Sequence, residues 1–421
     1  MTGHQAHDAH FRGPGADLPF PLRAVKALAR PFARHIELSS DAVVRRALRG
    51  LPSGAGRALE FREALDALCH SMDCETQMHT LGRITARADT ARLVRTQIEI
   101  NLELARSPEI LETPLPRPIY VIGWPRTGTT VLHTLLAQDP AHRALRYFEG
   151  FDPVAPARGG ADLRSAQLQK MLRGLEYMQP GYRAIHPMDP DSIEECVTVL
   201  YHTFSTPQFD FQYHCPSYHE FLERQGPRAA YAHYRKQLQM LQHYRPYGER
   251  WVLKDPTHLI ALDTLLELFP DAQFVWIHRD PVRALTSIAS LTAHTRSLFS
   301  DAYDAEMVGQ EVTSGFWPRE MLRGLELREK LPAERFIDVR YADFMANPIG
   351  SVGAIYDRLG LELRPEARRA MECYLREHAQ GSEGVHRHSP EQFGIDPETE
   401  WKRYADYSER FELPRETPRD D

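Results

Sequence analysis

Ile119-Tyr120-Val121-Ile122-Gly123-Trp124-Pro125-Arg126-Thr127-Gly128-Thr129-Thr130 is the stretch that decides how this chain folds. Its first four residues are apolar, aromatic or β-branched, and Pro118 and Gly123 bound them, so they predict a short buried strand. TTVLHTLLAQ, starting at Thr129, predicts a helix. A loop that leaves a buried strand and enters a helix aims its backbone N–H groups at one point. The helix N-terminus adds about half a positive charge there. Gly123 and Gly128 permit the tight turn and the close approach of an anion, and the hydroxyls of Thr127, Thr129 and Thr130 supply further donors. The unit is expected to cradle a phosphate-like group.

Outward from this unit, three more runs read as strands: WVLK from Trp251, QFVWIHR from Gln273 and RFIDVRY from Arg335. Helices are predicted at about 256–269, at 281–295, and as one long helix near 305–331. Strands alternating with helices predict a parallel sheet covered on both faces, with right-handed crossovers. Upstream, about 18–107 reads as several helices. Ser39 or Ser40 can cap DAVVRRALRGL, and Ile84, Ala88, Leu93, Ile98 and Leu102 recur at helical spacing within 74–106. SPEILETPLPRP is a proline-rich hinge, which puts a boundary near Thr113. The expected fold class is therefore α/β: a P-loop-type parallel sheet flanked by helices, with an N-terminal helical extension. Residues 1–113 form that extension, with a disordered start; 114–412 form the α/β domain and 413–421 a tail.

The chain has 421 residues, 42% apolar and 26% charged, enough to bury a full core without disulfides or metals. A net charge of −7 and a pI near 6.3 argue against a nucleic-acid partner held by bulk charge, while leaving room for one local basic pocket. Cys69, Cys74, Cys196, Cys215 and Cys373 are odd in number and contain no CxxC pair. That predicts a reducing compartment, the cytoplasm, and no structural metal. The local group Cys69, His70, Cys74 and His79 fits no ligand spacing. No apolar run approaches the roughly 20 residues that span a bilayer, and no secretory signal is expected at the N-terminus.

The glycine spacing equals that of a Walker A loop, but Thr129 stands where that loop needs lysine, and the basic residue is Arg126 instead. PRTGTT after an apolar strand resembles the 5′-phosphosulfate loop of sulfotransferases that depend on 3′-phosphoadenosine 5′-phosphosulfate (PAPS), in the form found in the bacterial branch of that family. The resemblance covers about 118–411 and leaves the N-terminal helices outside. It implies PAPS as co-substrate, no metal, and a nucleotide site that includes Arg126, Thr127, Gly128, Thr129 and Thr130. The family also places an arginine at a strand end and a serine eight residues later on the 3′-phosphate. FVWIHRDPVRALTSIASL carries Arg279 and Ser287 at that spacing. An arginine fork suits phosphate, and Ser287 lies about two helical turns on. Tyr341, in RYADF, is similar to the family tyrosine that contacts adenosine. Arg387, in HRHS, is similar to the late loop that closes over the nucleotide.

Sulfuryl transfer is expected to work as phosphoryl transfer does, by positioning groups and stabilising charge. Arg126 would neutralise the bridging oxygen and the leaving phosphate, and Lys254 matches a family lysine in the same region. Two residues compete as general base. Glu149 resembles the glutamate of the protein-tyrosine and bacterial branches. His258 lies near the histidine of the small-molecule branch, in a different register, and histidine titrates near neutral pH. Glu194 and Glu195 are outsiders for the role. The aromatic-rich stretch 201–221, YHTFSTPQFDFQYHCPSYHEF, lines the acceptor pocket or forms a core between helices. In the first case the acceptor is a moderately apolar small molecule with a hydroxyl, such as a phenol, sterol or hydroxylated lipid. The competing readings are a P-loop kinase for a small molecule and a non-catalytic nucleotide-binding protein on the same fold. The oligomeric state is not written in the sequence.

Overall fold

The structure, a computed structural model, describes residues 19–155, 161–178, 189–378 and 389–416. The disordered start expected for the chain and Arg387 lie outside the described residues.

Five parallel strands form one sheet: β1 (Ile119–Ile122), β2 (His142–Arg143), β3 (Arg250–Lys254), β4 (Gln273–His278) and β5 (Phe336–Arg340). Their order is β2-β3-β1-β4-β5, so the strand that feeds the glycine loop is central. Tyr120 lies opposite Leu253 on one side and Phe274 on the other, and Phe274 in turn opposite Phe336. Side chains alternate along each strand, and both faces are dry. Tyr120, Ile122, Leu253, Phe274 and Trp276 build the core on one face. Ile119, Val121, Val252, Val275 and Ile277 build the other. This two-sided burial is why the strands read as unbroken apolar runs. The four strands expected from the sequence are all present. β2 has two polar residues at the sheet edge and offers no hydrophobic pattern to detect.

The long helix expected near 305–331 is two helices, Ala305–Ser314 and Phe316–Lys330. Gly315 breaks them with a non-helical ψ of −127°, and Pro318 falls in the first turn of the second helix, where its missing N–H costs nothing. The segment after β3 begins as a 3₁₀ turn, Pro256–Ala261, before the α-helix Leu262–Leu268. Asp255 caps that turn by accepting from the Thr257 N–H at 2.9 Å.

The N-terminal helices Ser40–Ala47, Arg62–Cys74 and Thr80–Arg106 enclose a third core. Ser39 caps the first, accepting from the Ala42 N–H at 3.3 Å. Leu65, Leu68, Met72 and Val94 pack there with Phe204, Phe209, Tyr213, Tyr218 and Phe299, so the extension shares its interior with later segments. The helix Thr80–Arg106 docks closely at Gly82, where a Cβ would lie 2.2 Å from the Phe299 carbonyl oxygen. The His79 N–H donates to that same carbonyl at 2.9 Å. This contact brings Ile84, Thr85 and Ala88 beside Leu298 and Phe299 along one wall of a large cavity.

Several histidines are interior. Burial pushes the pKa of His202, His233 and His258 down to about 3, and that of His133 and His278 to about 4. The unfolded chain, titrating near 6.5, takes up protons on these rings that the folded chain does not. Their contribution to stability is complete above pH 6.5 and is lost as pH falls from there toward the folded values. Urea midpoints measured from pH 8 to pH 5 should fall steadily below pH 6.5, before the carboxylates titrate.

Candidate active site

The carboxyl ends of the parallel strands open into a single cavity of about 1260 Å³. Ligands of open parallel sheets bind in this place because each strand end delivers a loop to it. β1 leads into the glycine loop, β3 ends at Lys254, β4 leads to Arg279 and β5 to Tyr341. Pro125, Arg126 and Gly128 of the glycine loop line the cavity together with Lys254, Arg279 and Tyr341.

The backbone of the loop is tightly constrained. Gly123 and Gly128 have φ of +134° and +90°, and Arg126 between them is also left-handed at +67°. A Cβ on Gly123 would meet the Ile277 carbonyl at 2.6 Å, and one on Gly128 would meet the Tyr341 ring at 2.9 Å, so both positions require glycine. The Thr127 hydroxyl donates to the Trp124 carbonyl at 2.7 Å and holds the turn. The helix Thr129–Leu136 then starts with its N-terminus at the cavity. Thr127 itself is buried and structural in this arrangement, whereas Thr130 is exposed to the cavity.

The two expected cradles meet. Arg126 Nε donates to Ser287 Oγ at 3.1 Å, and Arg279 Nη1 donates to the Arg126 carbonyl at 2.7 Å. The Arg279 guanidinium lies 4.0 Å above the Tyr341 ring. Desolvation by the cavity walls and the Arg279 charge pull the Arg126 pKa below its usual value. Burial also opposes the charge on Arg279, but a carboxylate outweighs it and raises that pKa. The carboxylate is Glu416, which accepts from Arg279 Nε at 2.8 Å and from Nη2 at 2.7 Å. Its backbone N–H donates to Asp280 Oδ2 at 2.7 Å, while Asp280 Oδ1 caps the helix Pro281–Ser297 through Val282 N. Nothing in the sequence marks Glu416; it lies in what reads as a tail.

Lys254 is buried at the end of β3. Its Nζ donates to Thr130 Oγ1 at 3.2 Å and forms a short ion pair with Glu195. Glu195 and its neighbour Glu194 line the cavity. Asp255 also borders it; desolvation first and the Glu195 charge second raise the Asp255 pKa. Glu149 and His258 do not line the cavity. Glu149 is fully buried, held by Arg143 Nη2 at 3.3 Å and by the Arg146 N–H at 3.2 Å. His258 is fully buried beneath the sheet end, 2.8 Å from the Tyr231 hydroxyl and edge-on to Tyr120. The stretch 201–221 divides its side chains. Phe204, Phe209 and Tyr218 sit in the N-terminal core, while Tyr201, Gln208, Phe211 and Gln212 face the cavity. Among the described residues no group of three or more His, Cys, Asp or Glu side chains is placed to hold a metal ion.

The Arg143–Glu149 pair is a structural element with its own signature. Arg143 is sealed between Trp251 and Tyr247, at 4.2 and 4.7 Å from the ring centroids, with Glu149 as its carboxylate. Glu149→Ala leaves a buried cation uncompensated, which costs about 3–5 kcal/mol. Chemical denaturation should show that loss, and a Glu149→Ala protein as stable as the parent would contradict the placement.

Comparisons with known proteins agree with this geometry. A family model described as the sulfotransferase family matches residues 118–365. The chain is 28% identical over 322 residues to the omega-hydroxy-beta-dihydromenaquinone-9 sulfotransferase Stf3 of Mycobacterium bovis, covering 72% of this chain and 76% of that protein. Among solved structures, the sulfotransferase STF1 of Mycobacterium tuberculosis H37Rv superposes with a TM-score of 0.74 at 30% identity, over 87% of this chain and 98% of that one. STF9 of Mycobacterium avium superposes with a TM-score of 0.77 at 26% identity, over 89% and 97%. A glycine loop with threonine at the Walker lysine position and its cation at Arg126, opening a cavity ringed by strand-end cations, is thus found in a chain that belongs to the sulfotransferase family.

Proposed function

We propose that this sulfotransferase moves the sulfuryl group of PAPS to the hydroxyl of an apolar, lipid-like acceptor. One observation carries the reading. Arg126, Lys254 and Arg279, from three different strand ends, share a single cavity with a helix N-terminus, and the Arg279 fork already grips a carboxylate. A bidentate carboxylate stands in for two oxygens of a phosphate. The cavity exceeds the roughly 300–1,000 Å³ typical of a pocket for one small ligand, which suits a donor and an acceptor together.

In this reading the N–H groups of the loop, with Arg126 and Thr130, hold the 5′-phosphosulfate. Arg279 and Ser287 hold the 3′-phosphate, which displaces Glu416, and Tyr341 borders the adenosine. Lys254 and Arg126 stabilise charge on the bridging oxygen as the bond from sulfur to phosphate breaks. The base is Glu195 rather than Glu149 or His258, which are sealed from the cavity. Its carboxylate takes the acceptor proton as the acceptor oxygen bonds to sulfur, and Lys254 orients it. Exposed Ile84 and the apolar Leu291, Leu298 and Phe299 line the remaining space. The name of the Mycobacterium bovis relative gives it an omega-hydroxylated menaquinone derivative as substrate, which supports a hydroxylated lipid here.

Calorimetric titration tests the donor. The desulfonated nucleotide should bind well and ATP poorly, Arg279→Ala should abolish the preference, and Glu416→Gln should tighten binding by removing the competitor. Equal affinity for ATP, or indifference to Arg279→Ala, ends the proposal. For the base, Glu195→Gln should lower kcat by about 10²–10⁴ and remove the acidic limb of the pH–rate profile, with nucleotide affinity little changed. A loss of only a few-fold with the same profile would exclude Glu195.

A further inference from the structure

The N-terminal segment FPLRAVKALARPFARH, residues 20–35, forms a helix, Phe20–Ala29, that runs into a 3₁₀ turn, Arg30–His35. It contains Arg23, Lys26, Arg30 and Arg34 and no acidic residue, in a chain whose net charge is −7. Among the described residues only Lys26 of these four has an acidic partner, Asp301. Arg23, Arg30 and Arg34 are exposed. So are two large apolar side chains, Leu28 at 79% and Phe32 at 61%, the most exposed of all the large hydrophobics described. Nothing in the fold of a water-facing helix calls for that pairing of bare apolar groups with unpaired cations. It is the composition of a helix that lies in a lipid–water interface, apolar groups in the acyl boundary and cations on anionic headgroups.

The segment also sits beside the cavity. The Thr80 hydroxyl donates to the Ala29 carbonyl at 2.7 Å, and Arg83 Nη2 donates to the Ile36 carbonyl at 2.9 Å. One turn along that same helix, Ile84 and Ala88 are exposed and line the cavity. Asp301, which holds Lys26, is two residues beyond the cavity-lining Phe299. Met171, also exposed, and Lys170 line it from the helix Arg164–Met178. We propose that residues 20–35 seat the protein on an anionic lipid membrane and present the cavity mouth to the bilayer surface. The rest of the chain is net negative and repelled from such a surface, which favours approach by this face. An acceptor with a long apolar chain would then move from bilayer to cavity without crossing water. The inference rests on the lipid-acceptor reading for its purpose, but not for its test.

Flotation of the full-length protein with vesicles needs neither nucleotide nor acceptor. The protein should float with phosphatidylcholine vesicles that contain phosphatidylglycerol, stay behind with phosphatidylcholine alone, and release as salt rises. Leu28→Asp with Phe32→Asp should cut the bound fraction by about tenfold or more, as should Arg23→Glu with Arg30→Glu and Arg34→Glu. All these positions are exposed, so melting temperature and binding of the desulfonated nucleotide should be unchanged, which separates a failed fold from a failed surface. No binding to the anionic vesicles overturns the proposal, as do variants that float like the parent. A concentration-dependent dimer lost in the same variants, with no vesicle binding, would overturn it in favour of a second copy of the chain.

Discussion

Two guanidinium groups, Arg126 and Arg279, are held in one cavity, where their mutual repulsion favours negative charge beside them. Arg279 spends one N–H on the Arg126 carbonyl, which fastens the glycine loop to the end of β4. Arg126 turns its Nε to Ser287 on the following helix. These contacts fix the two cations but do not neutralise them. The N-terminus of the helix Thr129–Leu136 adds to a field that favours negative charge. The tail carboxylate of Glu416 rests on Arg279 within that field.

The parallel sheet makes this convergence possible. Parallel strands all end on the same side, so β1, β3, β4 and β5 deliver an arginine, a lysine, an arginine and a tyrosine to one place. Burial of both sheet faces makes the strand ends rigid, and the cations inherit that rigidity. On the opposite side the N-terminal helices complete the cavity. Gly82 against the Phe299 carbonyl brings Thr80–Arg106 close enough for its Ile84 and Ala88 to form the outer wall. The extension therefore forms part of the cavity wall, although the family match begins only at residue 118.

Residue type alone does not say which side chains reach the cavity. Glu149 and His258 both occupy positions beside functional motifs, and both are folded inward, one against Arg143 and one against Tyr231 and Tyr120. Glu195, in an unremarkable acidic pair, reaches Lys254 because the chain before the helix Val197–Leu200 runs along the end of β3; the Cys196 N–H donates to the Lys254 carbonyl at 2.9 Å. The single helix expected over 305–331 failed for a local reason, a glycine at the break. Glu416 was invisible because its partner, Arg279, is 137 residues away in the chain.

The sequence by itself determined the strand–loop–helix unit and the individual strands, because each rests on a pattern within about twenty residues, whereas Arg279 and Ser287 were singled out only through resemblance to a family. Backbone conformation, amphipathic period and helix pitch are local properties, and a linear pattern records them. Only the tertiary structure decided which carboxylates face the cavity, that a tail carboxylate rests on Arg279, and that a cationic apolar helix stands beside the cavity mouth. Those outcomes depend on which distant surfaces pack together and exclude water, and burial of that kind is a property of the assembled chain.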